Sequence, residues 1–144
     1  MKTYIIDTIG EKEAVRIDEL LHMLDPKAPQ TGRERLEDLT GNGRLMLFVT
    51  EHDDTIAGML TLTYCDTLSR RKYWIEDVIV DEAFRGLGIG RELVQAAVAY
   101  VREKAELPTL YLTSNPSRTA ARSLYRSEGF EEYETGVFRL KKQP

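Results

Sequence analysis

The chain has 144 residues, enough for one domain with a real core, and its 42% hydrophobic and 31% charged residues are ordinary for a globular protein. A formal net charge of −4 argues against nucleic acid or an anionic membrane as partner, and no apolar run approaches the length of a membrane span. Cys65 is the only cysteine, which excludes an internal disulfide or a cysteine-rich zinc site and fits a reducing, cytoplasmic setting.

Thr3 to Asp7 reads as a first strand. From Glu11 to Leu24, Val15, Ile17, Leu20, Leu21 and Leu24 recur near helical spacing, and the Pro26 and Pro29 segment ends that helix. Thr31 with Glu34 fits a capping box, which predicts a second short helix through Leu39 that stops at Gly41-Asn42-Gly43. Leu45 to Glu51 and Ile56 to Tyr64 read as strands joined by a tight turn at Asp53-Asp54. Lys72 to Val80 is dense in Ile and Val and reads as a central strand.

A glycine-bearing loop then opens a helix with Leu93, Ala97, Tyr100 and Val101 on one face. Pro108 to Thr113 reads as a strand, and Ser117 to Glu128 as a helix stopped by a left-handed Gly129. Phe130 to Glu134 and Val137 to Lys141 are expected to close the fold as a hairpin around Gly136. The order predicts one domain, residues 1–144: an antiparallel meander, a right-handed parallel crossover through the glycines, and helices on the faces of a mixed sheet.

The glycine loop carries the chemistry. Arg85-Gly86-Leu87-Gly88-Ile89-Gly90-Arg91 lies between a strand end and a helix start, where backbone N–H groups and the helix dipole make a cradle for phosphate. It is not a nucleoside-triphosphate loop, because no G-x-x-x-x-G-K-[ST] string exists in the chain. Nor is it the G-x-G-x-x-G dinucleotide fingerprint, because the glycines alternate at 86, 88 and 90 and follow a meander. The plainer alternative is that the glycines only permit a tight turn and close packing, and the flanking arginines weigh against it. His22 and His52 fall outside any ligand spacing, so no metal is expected.

Arg85-Gly86-Leu87-Gly88-Ile89-Gly90 resembles the (Gln/Arg)-x-x-Gly-x-(Gly/Ala) signature of the GNAT superfamily of N-acetyltransferases. Ala121 to Phe130, with Leu124, Tyr125 and Gly129, is similar to that family's A-x-x-L-Y-x-x-x-G-F segment, and Ile75 to Val80 fits its fourth strand. The resemblance implies a GNAT-like α/β fold: a mixed, mostly antiparallel sheet of about seven strands, about four flanking helices, and a splay between the parallel fourth and fifth strands. It implies acetyl-CoA as cosubstrate. Backbone N–H groups from Arg85 to Arg91 would take the pyrophosphate. Val78, Ile79 and Val80 would line the pantetheine arm, with an N–H near Val78 polarising the thioester carbonyl.

By the same resemblance Tyr125 protonates the departing thiolate, against the alternative of a packing tyrosine whose hydroxyl bonds to backbone. Glu76 and Asp77 are neighbours on a strand, so they are expected to face opposite sides. Glu76, directly or through water, is the expected base, with Asp77 orienting the acceptor. Many relatives carry Asn seven residues before the helix tyrosine. Arg118 stands there in this chain, so Asn115 or Arg118 is expected to contact the donor. Thr113 occupies a position where some peptide-amine acetyltransferases carry a glutamate base, which weighs against protein acetylation. The expected activity is acetyl transfer to a primary amine, small-molecule or peptide, with a non-catalytic acyl-CoA-binding module as the alternative. A homodimer stays open.

Overall fold

A computed structural model describes residues 1–104 and 109–143. In chain order it comprises β1 (Lys2–Ile5), α1 (Glu11–Leu24), α2 (Arg33–Gly41), β2 (Leu45–His52), β3 (Thr55–Asp66), β4 (Arg71–Val80), a 3-10 turn (Glu82–Phe84), α3 (Ile89–Lys104), β5 (Leu110–Leu112) and α4 (Thr119–Ser127). The strands lie in the order β1-β2-β3-β4-β5, antiparallel through β4, with β5 parallel to β4. Among the described residues, no helix is long and apolar enough to cross a membrane.

Alternation along the strands feeds two cores. On one face Leu60, Leu62, Tyr73 and Ile75 pack with Ile89, Leu93, Val94, Ala97 and Val101 of α3 and with Tyr125 of α4. On the other, Leu47, Val49 and Met59 pack with Ala14, Ile17 and Leu20 of α1 and Leu36 of α2. Asp53 and Asp54 both take positive φ, 51° and 56°, as the predicted two-residue turn between β2 and β3 requires.

Three expectations change. The capping box at Thr31 and Glu34 does not form: α2 starts after Gly32, and the N–H groups of Thr31 and Gly32 donate to the Asp18 carboxylate at 2.8 and 2.9 Å. A side chain from α1 thus satisfies the approach to α2, a tertiary cap in place of a local one.

The sheet has five strands among the described residues instead of about seven, because the closing hairpin is absent. A two-residue hairpin turn takes positive φ, and Gly136 does not. Val137, Phe138 and Leu140, at 84%, 99% and 96% exposure, find no surface to bury against. Pro108, the predicted start of the fifth strand, lies outside the described residues, and β5 itself is shorter than expected.

The third change concerns β4, which is not regular. Met59 pairs with Ile79 but Thr61 pairs with Glu76, so β4 holds one residue more than β3 across that interval. The extra residue makes a bulge, and Asp77 there takes a positive φ of 49°. Strand alternation therefore fails at the point where the chemistry was expected.

Candidate active site

The site forms where β4 and β5 part. Their pairing runs from Tyr73–Leu110 to Ile75–Leu112 and stops, while β4 continues to Val80 with, among the described residues, a partner on its β3 side alone. Between the strands lies a cavity of about 210 Å³ lined by Leu24, Glu76, Asp77, Ser114, Arg118 and Tyr125, among others.

The bulge sets the acid groups. Glu76 and Asp77 both line this cavity, so the expectation that they face opposite sides is overturned. Thr61 Oγ1 donates to Asp77 Oδ2 at 2.9 Å and engages that carboxylate. Glu76 has no hydrogen-bond partner among the described residues. Although exposed as a residue, its carboxyl loses part of its hydration at the cleft wall. That desolvation, and secondarily the charge of Asp77, holds its pKa above the usual carboxylate range.

Tyr125 reaches the cavity from the opposite side, and the helix end explains its placement. Phe130 N donates to Tyr125 O at 3.0 Å and Gly129 N to Arg126 O at 3.1 Å, with Gly129 at φ 97°. This is a Schellman cap, and its customary apolar contact is the edge-on packing of Phe130 on Tyr125, ring centroids 6.1 Å apart. The Gly-Phe pair of the sequence signature therefore locks the tyrosine ring. Tyr125 is only 8% exposed, yet its hydroxyl bonds to no protein acceptor among the described residues. Burial pushes its pKa up, opposed in part by Arg118, so the proton stays on the oxygen at neutral pH.

The glycine loop follows β4 through Asp81. The Asp81 carboxylate caps the 3-10 turn by accepting from Ala83 N at 2.9 Å, and its other oxygen takes Arg16 Nη2 at 2.6 Å. Gly86 and Gly88 both sit at φ 82° with no atom within 4 Å of where a Cβ would stand. Gly88 O accepts from Glu92 N, so α3 begins there. Among the described residues, no acceptor takes the N–H groups of Gly86, Leu87, Gly88, Ile89, Gly90 or Arg91. These free donors at the start of a 16-residue helix suit an anion. Gly90 differs: a Cβ there would lie 3.4 Å from Leu124 Cδ2, so this position serves packing between α3 and α4.

Other expected contacts divide. Val78 lines the cavity, while Ile79 packs against the α1 core and Val80 against the α3 core. Arg85 stays exposed with Glu82 3.8 Å away. The Arg91 guanidinium is taken by Ser127 and Glu128 of α4, which turns it from phosphate binding to helix packing. Arg118 lines the cavity. Asn115 does not; its Oδ1 accepts from Ser117 N and Oγ, each at 2.9 Å, and shapes the turn before α4. Ser114 was missed: its Oγ is buried without a partner and the residue lines the cavity. Only its place just beyond the end of the fifth strand could have signalled it. Among the described residues, no three His, Cys, Asp or Glu side chains gather as a metal site requires.

The family model described as "Acetyltransferase (GNAT) family" matches residues 15–130. The chain belongs to that family and is an acyltransferase of the GNAT type. Solved structures of the same fold include an acetyltransferase of Trypanosoma brucei, 23% identical with TM-score 0.79 over 98% of this chain and 99% of that one. Glucosamine-6-phosphate N-acetyltransferase of Arabidopsis thaliana is 18% identical with TM-score 0.79, over 99% and 100% of the two chains. AAC(6')-Iy, in complex with the bisubstrate analog CoA-S-monomethyl-acetylneamine, is 20% identical with TM-score 0.77, over 99% and 100%. No curated protein matches.

Proposed function

We propose that this protein transfers the acetyl group of acetyl-CoA to a primary amine by direct attack on the thioester, in the cavity between β4 and β5. The observation that carries the reading is that Glu76 and Tyr125, from different elements, line one cavity, and among the described residues neither the carboxylate nor the hydroxyl is committed to a protein partner. The free N–H groups from Gly86 to Arg91 suit the donor's pyrophosphate. The unpaired side of Glu76 to Val80 suits its pantetheine amides, as an added strand would. A backbone N–H near Val78 would polarise the thioester carbonyl.

Glu76, its basicity raised by the cleft, takes a proton from the acceptor ammonium, directly or through water. The freed amine attacks the carbonyl carbon, the C–N bond forms, and the C–S bond breaks as the nitrogen releases its second proton to solvent. Tyr125 supplies a proton to the thiolate sulfur and is reprotonated from solvent. Asp77, held by Thr61, adds a second negative charge that favours a cationic acceptor. One structural neighbour is named a glucosamine-6-phosphate N-acetyltransferase, and a small amine of that kind fits the size and acidity of the cavity. Arg118, which lines the cavity, would contact the donor, and the unpartnered Ser114 hydroxyl would bond either substrate.

The test is thiol release from acetyl-CoA against aminosugars, small amines, polyamines and peptides. Expected is amine-dependent release with small cationic acceptors. Thermal stabilisation by CoA without release on any acceptor would establish the non-catalytic module instead.

A further inference from the structure

Trp74 and Tyr111 form a feature that neither core absorbs. They pair in register across β4 and β5, with ring centroids 5.1 Å apart and planes tilted by 30°, so the two rings lie side by side as one shallow platform. Both are half-buried, and neither belongs to the core under α3 or to the core under α1 and α2. A cross-strand pair kept for stability alone gains most when it is covered. This one stands open beside the candidate active site.

Strand alternation fixes its place. Tyr73 and Ile75 of β4, and Leu110 and Leu112 of β5, pack on the α3 side, so Trp74 and Tyr111 face the α1 side. The register with β3 is regular from Trp74 to Glu76 and breaks only after it. Glu76 therefore shares the face of Trp74, two residues or about 7 Å along the strand. The platform lines a cavity of about 460 Å³ that has Thr113 and Ser114 in common with the cavity between β4 and β5, so the two adjoin. Tyr133 of the chain's own C-terminal segment packs edge-on against Tyr111, centroids 5.9 Å apart, and adds a further wall.

We propose that this platform selects the acceptor: a six-membered ring lies face-on across Trp74 and Tyr111, while a primary amine on that ring, or one carbon from it, reaches Glu76. An aromatic face takes the apolar C–H face of a sugar ring or the face of an aryl ring. The indole N–H and the Tyr111 hydroxyl supply hydrogen bonds at the rim. A linear amine reaches Glu76 but leaves the platform empty. Trp74 and Tyr111 thus set specificity and take no part in the chemistry. Glu76 as the place of the amine is taken from the acetyl-transfer reading above, on which this assignment rests.

Trp74 is the only tryptophan, so selectively excited tryptophan emission reports on the platform alone. The CoA-saturated protein is titrated with glucosamine, benzylamine and putrescine. A saturable change is expected with at least one of the two ring amines and none with putrescine, and which ring amine responds tells a sugar ring from an aryl ring. In thiol release, the ratio of kcat/KM for that ring amine over putrescine is expected to fall about tenfold in Trp74→Leu and in Tyr111→Leu, and to recover in Trp74→Phe, with KM for acetyl-CoA unchanged. Emission unmoved by both ring amines, or an unchanged ratio in Trp74→Leu with its far-UV circular dichroism intact, would overturn the proposal. Emission that responds to a ring amine, without thiol release on any acceptor, would remove the transferase reading and uphold the ring platform.

Discussion

Thr61 Oγ1 donates to Asp77 Oδ2 across 2.9 Å, and that bond spans the one place where β4 breaks register with β3. The bulge is what turns Glu76 and Asp77 toward the same cavity, and Asp77 bears the backbone cost at φ 49°. Thr61→Val keeps the shape and removes the donor. It is expected to destabilise the fold by about 1–2 kcal/mol and to lower kcat, because a loosened bulge misplaces Glu76. Thermal unfolding and steady-state kinetics check the two effects separately.

Glu76 gives a prediction of opposite sign for stability and activity. Its folded pKa is raised, so the folded state holds the proton more tightly than the unfolded chain. The resulting cost is absent below the unfolded carboxylate value and fully present once pH exceeds the raised folded value. Glu76→Gln is therefore expected to be at least as stable as the wild type at neutral pH, while kcat falls by about 10²-fold or more. In the wild type, activity is expected to rise with pH through the raised Glu76 pKa, a limb that the glutamine variant lacks.

Much of this was legible before folding, where a local rule met no competitor. The bounds of α1, the turn at Asp53-Asp54 and the cap at Gly129 follow from apolar spacing, short polar turn residues and glycine. Tyr125 and Glu76, the two catalytic residues the resemblance implies, line one cavity. The bulge was not legible, because Asp77 lies inside an apolar strand with none of the flanking turn context that marks Asp53-Asp54. Asp18 as the partner of Thr31 and Gly32 was hidden because it is a tertiary contact. Arg91 looked like a phosphate ligand until the neighbouring helix supplied Glu128.

The glycines of the loop are expected to separate. Gly88→Ala forces a side chain to φ 82°, at a cost of about 1–3 kcal/mol, and puts a methyl group into the open space beside the loop. Its affinity for CoA is expected to drop clearly. At Gly90 the added methyl group would meet Leu124 at 3.4 Å, an ordinary contact within α3, so Gly90→Ala is expected to keep both stability and CoA affinity. Isothermal titration with CoA on the two variants checks the contrast.

Asp81 ties α1 to the start of the loop. The hydrogen bond from Arg16, then that from Ala83, holds its carboxyl below the usual range. Its stabilisation is thus present above the unfolded carboxylate value and lost as pH falls through the depressed folded one. With the Arg16 and Asp81 side chains 17% and 13% exposed, Asp81→Asn is expected to cost about 1–3 kcal/mol at neutral pH. The difference from the wild type should shrink in acid, as unfolding titrations at several pH values would show.

The most direct measurement is steady-state thiol release by wild type and Tyr125→Phe, with the best acceptor and varied acetyl-CoA. The phenylalanine keeps the ring on Phe130 and removes only the hydroxyl, which bonds to no protein acceptor among the described residues. Expected is a fall in kcat of about 10²-fold or more with KM for acetyl-CoA nearly unchanged. Undiminished turnover in Tyr125→Phe would contradict the assignment of Tyr125 as the acid, and with it the chemistry placed between β4 and β5.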